Sequence, residues 1–187
     1  MKKRKKSIFN ILLAAVLAIS IIISQSNALQ ALIGKDTLTM ITSPDYPPYE
    51  YYDTEGSGNI IGFDIDIANY IAKELKFKLN VIESDFNGLI PALATNRVDF
   101  VMAGMSPTPE RLKNVDFSII YYTAQDTIVA PKGSNLLKVQ QLSGKTVGVQ
   151  LGSIQEKNLK EIAKKVTGIQ IKQLNRVPEA IQELKSK

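Results

Sequence analysis

The chain has 187 residues, 44% hydrophobic and 22% charged, values that suit one large folded domain or two small ones and argue against disorder. Its net charge of +5 belongs to the extreme N-terminus: Lys2, Lys3, Arg4, Lys5 and Lys6 precede every acidic residue, and the rest of the chain balances 18 basic against 18 acidic side chains. The body therefore lacks the positive surplus that a phosphate backbone demands, which excludes a nucleic-acid binder, and the absence of Cys and His removes disulfides and the usual transition-metal ligand sets.

The N-terminus comes first in chain order. After the basic stretch, an apolar run extends from Ile11 to Ile23, and Ser26-Asn27-Ala28 places small residues at the −3 and −1 positions of a cleavage site. This is the pattern of a secretory signal peptide over residues 1–28. The run is short for a bilayer-spanning helix of about 20 residues. Cleavage after Ala28 is the expectation, with an uncleaved membrane anchor as the alternative. An exported chain with no cysteine to carry lipid needs an enclosing compartment to stay near its cell, so a periplasmic location is expected.

From Lys35 onward, short apolar strands alternate with amphipathic helices, the pattern of βαβ units in an α/β fold with parallel sheets. Leu38 to Thr42 reads as the first strand. A helix from about Asp64 carries Ile67, Ala68, Ile71, Ala72 and Leu75 at helical spacing. Phe77 to Glu83 alternates as a second strand, and Asp85 or Asn87 is placed to cap a short helix through Ala94. VDFVMAG (Val98 to Gly104) reads as the third strand, and Pro109 suits a first helical turn. Thr127 to Ala130 reads as a strand crossing to a second βαβ set that starts near Pro131. That set comprises KTVGVQ as a strand, GSIQEKNLKEIAKKV as a helix, IQIKQL as a strand and a helix begun by Pro178. The expected boundaries are a first lobe over residues 36–122, a hinge crossing over 123–130 and a partial second lobe over 131–187.

Chemistry-bearing residues gather at strand ends. AGMSPTPER (Ala103 to Arg111) combines Gly104, which permits close approach to the backbone, with the Ser106 hydroxyl, two stiffening prolines and Arg111. A guanidinium is a planar fork that matches a carboxylate. GVQLGSIQE (Gly148 to Glu156) ends a strand in Gly152-Ser153 and opens a helix, whose N-terminal N–H groups suit an anion. It lacks the P-loop lysine and the dinucleotide glycine spacing. Tyr46 in SPDYPPYEYYD and Phe86 in SDFNGL follow the first and second strands, where ligands of open α/β sheets sit. Two rings, a hydroxyl, an arginine and a helix N-terminus suit an α-carboxylate with a compact side chain better than they suit a reaction.

The stretches YPPYEYYD, GNIIGFDIDIANYIAKEL, DFNGLIPAL, RVDFVMAGMSPTPERLKNVDFS, LSGKTVGVQLGS and NRVPEAIQEL resemble, in order and spacing, the extracellular solute-binding proteins (family 3) of polar amino-acid ABC transporters. That group includes the glutamine-binding and lysine/arginine/ornithine-binding proteins. The resemblance implies a two-lobed, type II periplasmic-binding-protein-like α/β fold with hinge strands, closing on one ligand. It implies that Arg111 pairs with the ligand α-carboxylate, helped by the backbone at Ser153 and Ile154. Gly104, through its carbonyl, and Ser106 would meet the α-amino group, and Tyr46 and Phe86 would flank the side chain. Ser43 stands where many relatives carry an acid that reads a polar or basic side chain; Asp45, Glu50 or Asp85 are the candidates to compensate. Relatives continue past the position of Lys187 into a strand whose aspartate holds the α-ammonium, so the resemblance implies an incomplete chain and second lobe.

The expected function is therefore binding of a polar amino acid in the periplasm for delivery to an ABC permease, by a monomer without catalysis, cofactor, metal or nucleic-acid partner. The alternative on the same fold is a periplasmic cyclohexadienyl dehydratase. That chemistry needs a general acid/base group near a leaving hydroxyl, and this chain has no His. A sensory domain on the same fold is a third reading, though no signalling module follows in the sequence.

Overall fold

The computed structural model describes residues 35–186, so the expected signal peptide lies outside the described residues. The first strand, β1 (Thr37–Thr42), is followed by three short strands, β2 (Asp45–Tyr46), β3 (Glu50–Tyr52) and β4 (Ile60–Ile61), which form a small antiparallel sheet. Helix α1 (Phe63–Leu75) leads to β5 (Lys78–Glu83), which lies parallel to β1 with Met40 opposite Val81. A 3-10 turn (Phe86–Gly88) and the short helix α2 (Leu89–Ala94) return the chain to β6 (Phe100–Val101), parallel to β1 on its other side. The sheet order is β5-β1-β6.

The alternation of β1 builds a core on both faces, as a central parallel strand requires. Met40 packs on one side with Ile65 and Ala68, against Leu79 and Phe100. Ile41 packs on the other with Leu89, Val98 and Ala103, against Phe86 and Leu93. Helix α1 starts as expected, but its buried stripe is Asp64, Ile65, Ala68 and Ala72. Ile71 and Leu75 of the expected face are exposed, at 37% and 68%, because the helix is rolled so that Ile65 meets the sheet. Gly62 makes that entry possible. Its φ is +127°, and a Cβ there would lie 2.3 Å from the Tyr49 carbonyl oxygen. The carbonyls of Pro48 and Tyr49 accept the N–H groups of Phe63 and Asp64, two donors that a helix leaves without internal partners.

Several local expectations change. The third strand shrinks to Phe100–Val101, because Gly104 at φ +51° turns the chain away from β1. Neither Asp85 nor Asn87 caps α2 through its side chain; Gly88 holds the N-cap position, and the Asp85 side chain bonds to Arg176 instead. Pro109 precedes a single 3-10 turn, Arg111–Lys113, rather than entering a helix.

The second lobe is a two-stranded parallel sheet of β7 (Thr146–Gln150) and β8 (Gln170–Leu174), with helices α3 (Ile154–Ala163) and α4 (Val177–Lys185). Leu142, Val149, Leu159 and Val166 are its buried hydrophobic residues. The connecting stretch, residues 116–130, runs without regular structure, and the strand expected over Thr127 to Ala130 does not form. A strand needs a neighbour to bond to, and no described segment pairs with this one. Side chains pin it instead: the Tyr121 hydroxyl donates to Asp64, and Asp126 accepts from Gln155 and Asn158 of α3.

Candidate functional site

The loop from Ala103 to Arg111 is held at both ends. Gly104 N–H donates to Asp64 Oδ2 at 2.7 Å, and Thr108 Oγ1 accepts from Arg111 N–H at 3.2 Å. A Cβ on Gly104 would lie 3.4 Å from the Tyr46 ring, so the glycine lets that ring lie against the loop. The Arg111 guanidinium then spans the cleft between the lobes. Nη1 donates to the Ser106 carbonyl at 2.7 Å, Nη2 donates to the Gly152 carbonyl at 3.0 Å, and the Phe86 ring lies under it with 5.4 Å to the centroid. Burial disfavours the charged form and lowers the Arg111 pKa from its ordinary value.

Across the cleft, Gly152 (φ +81°) comes so close to the first lobe that a Cβ would sit 3.1 Å from Asn87 Cβ. Ser153 is the N-cap of α3: its Oγ accepts from Glu156 N–H at 3.1 Å and donates to the Gln150 carbonyl at 2.7 Å. Glu156 reaches back to accept Gly152 N–H at 2.7 Å and is also bonded by Lys160 and Gln173. Burial works against its ionisation, but these donors outweigh it and hold the carboxyl below its usual range. A pocket of about 500 Å³ adjoins the Arg111 guanidinium, with walls that include Ile90, Thr108, Arg111, Gly152, Ser153 and Ile154 but not Tyr46, Phe86, Gly104 or Ser106.

A buried polar cluster lies at the C-terminal end of β1. Ser43 Oγ donates to Asp45 Oδ1 at 3.1 Å. Asp45 Oδ2 accepts from Gln150 Nε2 at 3.0 Å and from Val177 N–H, the first helical residue of α4, at 2.9 Å. Burial raises the Asp45 pKa, opposed by the donors from Val177 and Ser43. Glu50 is 1% exposed, and its Oε2 has no hydrogen-bond partner among the described residues. Its pKa is pushed up to about 10, chiefly by burial and then by the neighbouring carboxylates of Asp64 and Asp45. Asp64 accepts the Tyr121 hydroxyl on both oxygens at 3.0 Å, and the Tyr121 pKa is raised by burial and by that carboxylate. Asp85 accepts from Arg176 Nε at 3.0 Å. The three acids expected to compensate for Ser43 are thus engaged: Asp45 and Asp85 bond to the second lobe, and Glu50 is kept neutral.

Of the expected site residues, Phe86, Ser106 and Arg111 converge, and Arg111 shares one cleft with Ser153 and Ile154. Tyr46 lies over Gly104 and stacks on Tyr49 at 5.2 Å; Tyr49 in turn meets Tyr122 and Phe63. Ser43 stands apart, 2% exposed, with its hydroxyl committed to Asp45. Sequence reasoning missed the bonds of Asp45 to Gln150 and Val177 and of Asp64 to Gly104 and Tyr121. These pairs are 40 to 132 residues apart, so only the fold brings them together. Among the described residues no group of three or more acidic side chains is arranged to hold a metal ion.

Comparison with known proteins identifies the family. The arginine-binding extracellular protein ArtP of Bacillus subtilis is 48% identical over 153 residues, covering 82% of this chain and 58% of that protein. The lysine/arginine/ornithine-binding periplasmic protein of Escherichia coli is 33% identical over 144 residues, covering 76% of this chain and 55% of that protein. The crystal structure of the substrate-binding protein AbpA from Streptococcus pneumoniae bound to L-arginine superposes with a TM-score of 0.78 at 32% identity, covering 84% of this chain and 66% of that one. The chain thus spans little more than half the length of these curated relatives. The profile of the bacterial extracellular solute-binding proteins, family 3, matches residues 38–187, and the chain belongs to that family.

Proposed function

We propose that this chain is the greater part of an exported receptor that binds a free amino acid with a basic side chain, L-arginine foremost, and delivers it to an ABC permease. The observation that carries this reading is the position of Arg111. Its guanidinium bridges both walls of the cleft beside the first N–H groups of α3, through backbone carbonyls that an incoming carboxylate displaces. A bidentate carboxylate on Arg111 also gains the N–H of Ile154, which a helix leaves unpartnered. In this reading the Gly104 carbonyl and Ser106 receive the α-ammonium, the Ser153 backbone supports the carboxylate, and the rings of Tyr46 and Phe86 sandwich the side chain. Ring faces suit a guanidinium, as Phe86 already does for Arg111. Preference for a basic side chain is supported by the relatives whose names specify arginine or lysine. With Asp45, Glu50 and Asp85 engaged, selectivity rests on these rings rather than on a dedicated acid. The reading is binding without catalysis, consistent with the names of those relatives.

The test is calorimetric titration of the full protein with L-arginine, L-lysine, L-histidine and L-glutamine. One-to-one binding with arginine tightest is expected. Binding of glutamine but not of arginine overturns the basic preference, and no binding of any of the four overturns the function.

A further inference from the structure

Among the described side chains that hydrogen-bond across the cleft, Asp45 is the buried one, 4% exposed. Arg111, half-buried, crosses it to the Gly152 carbonyl; Lys157–Glu110 and Arg176–Asp85 cross it too, but with side chains that are at least a third exposed, and the bonds from Gln155 and Asn158 to Asp126 lie at the surface. Asp45 belongs to the first lobe, yet one of its oxygens takes two donors from the second: the Gln150 side chain at the end of β7 and the first N–H of α4. Helix α4 has no side-chain cap of its own on that N–H. Its Glu179 accepts from Asn175 and Arg176 instead, two residues and one residue earlier. A carboxylate at a helix N-terminus is also favoured by the helix dipole. Separating the lobes strips a buried carboxylate of two partners and takes the acceptor from the Val177 N–H.

We infer that Asp45 is a positioning residue for lobe closure: its carboxylate clasps the second lobe through Gln150 and Val177 and holds the two lobes together without any solute. The consequence for solute release rests on the proposed function: part of the resistance to opening is built into the chain, and a weakened clasp speeds dissociation. The clasp itself is independent of which solute binds.

The chain has no cysteine, so two introduced ones are unique labelling sites. Lys73→Cys in α1 and Lys164→Cys, the residue that follows α3, are exposed and lie in different lobes. Spin labels at both, read by double electron–electron resonance on the solute-free full protein, report the distance between lobes. The unaltered protein is expected to show one short-distance population. Asp45→Ala is expected to raise the long-distance population about tenfold or more, since charged hydrogen bonds are the strong ones. Gln150→Met removes one donor, keeps the bond to Val177, and is expected to shift the population in the same direction by less. Asp126→Ala removes only surface bonds and should shift it by less than about twofold. Where Asp45→Ala does not fold, Gln150→Met carries the test alone. Distances in Asp45→Ala or Gln150→Met that match the unaltered protein overturn the clasp, as does an equal opening by Asp126→Ala. Because no solute is present, a failed amino-acid titration leaves this result standing.

Discussion

Glu50→Gln isolates the cost of burying an ionisable carboxyl group beside the carboxylates of Asp64 and Asp45. Glu50 is 1% exposed and titrates near 10 rather than near 4.5. The folded protein therefore holds a proton at neutral pH that the unfolded chain has already released. Because the folded pKa is the higher one, the stability involved is fully present below about pH 4.5 and is lost as pH rises toward 10, at about 1.4 kcal/mol per pH unit. At pH 7 the accumulated penalty is about 3 kcal/mol. Glutamine has the shape of the neutral acid and nothing to ionise, so the variant escapes this penalty. It adds a second N–H hydrogen beside an oxygen position without a partner, which costs about 1 kcal/mol. The net expectation is a variant more stable than the parent by about 2 kcal/mol at pH 7 and less stable at pH 4.5. Urea unfolding followed by tyrosine fluorescence between about pH 4.5 and pH 8 gives the two curves. A difference that stays constant with pH, or a variant less stable at pH 7 to 8, refutes the assignment of a neutral Glu50.

Three further outcomes are expected. Arg111→Ala should weaken amino-acid binding by more than about 30-fold, from the 2–5 kcal/mol typical of truncating one partner of a buried charge pair, with an unchanged circular dichroism spectrum; retained affinity removes Arg111 from the site. Tyr121→Phe deletes the hydroxyl that donates to both oxygens of Asp64 and should lower stability by about 1–3 kcal/mol in urea unfolding, whereas an unchanged midpoint means that water replaces it at no cost. Gly62→Ala sets a Cβ 2.3 Å from a backbone oxygen at a φ that side chains avoid, so little folded protein should be recovered; a thermal transition within about 2 °C of the parent refutes the glycine requirement.

The elements that periodicity announces are the ones the structure contains. β1, β5, β7, β8 and three of the helices sit where alternation and helical spacing put them, because the apolar periodicity that lets an element bury one face is written in its own residues. Two of the failures depended on a distant partner. The strand expected at Thr127 to Ala130 has the right residue types but no neighbour to pair with. Of the expected helix face, Ala68 and Ala72 are buried but Ile71 and Leu75 are outward, because the sheet, not the helix, decides the roll. At the site, Arg111 and the Gly152-Ser153 corner were legible, since proline, glycine and a helix start mark them locally. Asp45 and Glu50 read only as candidates for a charge near the ligand. Their actual partners, Gln150 and Val177 for one and the carboxylate of Asp64 for the other, come from other elements of the fold.

The balanced total charge also conceals a division that bears on closure. Residues 36–122 carry thirteen acidic and six basic side chains, and residues 131–187 carry four acidic and eleven basic. The lobes therefore attract each other over a distance, and exposed pairs such as Lys157–Glu110 are the local expression of that attraction. Such pairs contribute about 0–1 kcal/mol each and are screened by salt, whose Debye length falls from about 8 Å at physiological ionic strength to about 3 Å at 1 M. The bonds of buried Asp45 are screened far less. Raising salt to about 1 M should therefore leave the lobe distance of the unaltered protein nearly unchanged. In Asp45→Ala, what remains between the lobes is the Arg111–Gly152 bond and the screened part, and the same salt should lengthen the distance further. If the unaltered protein opens in salt as far as Asp45→Ala does, the lobes are held by opposite net charge and not by one buried carboxylate.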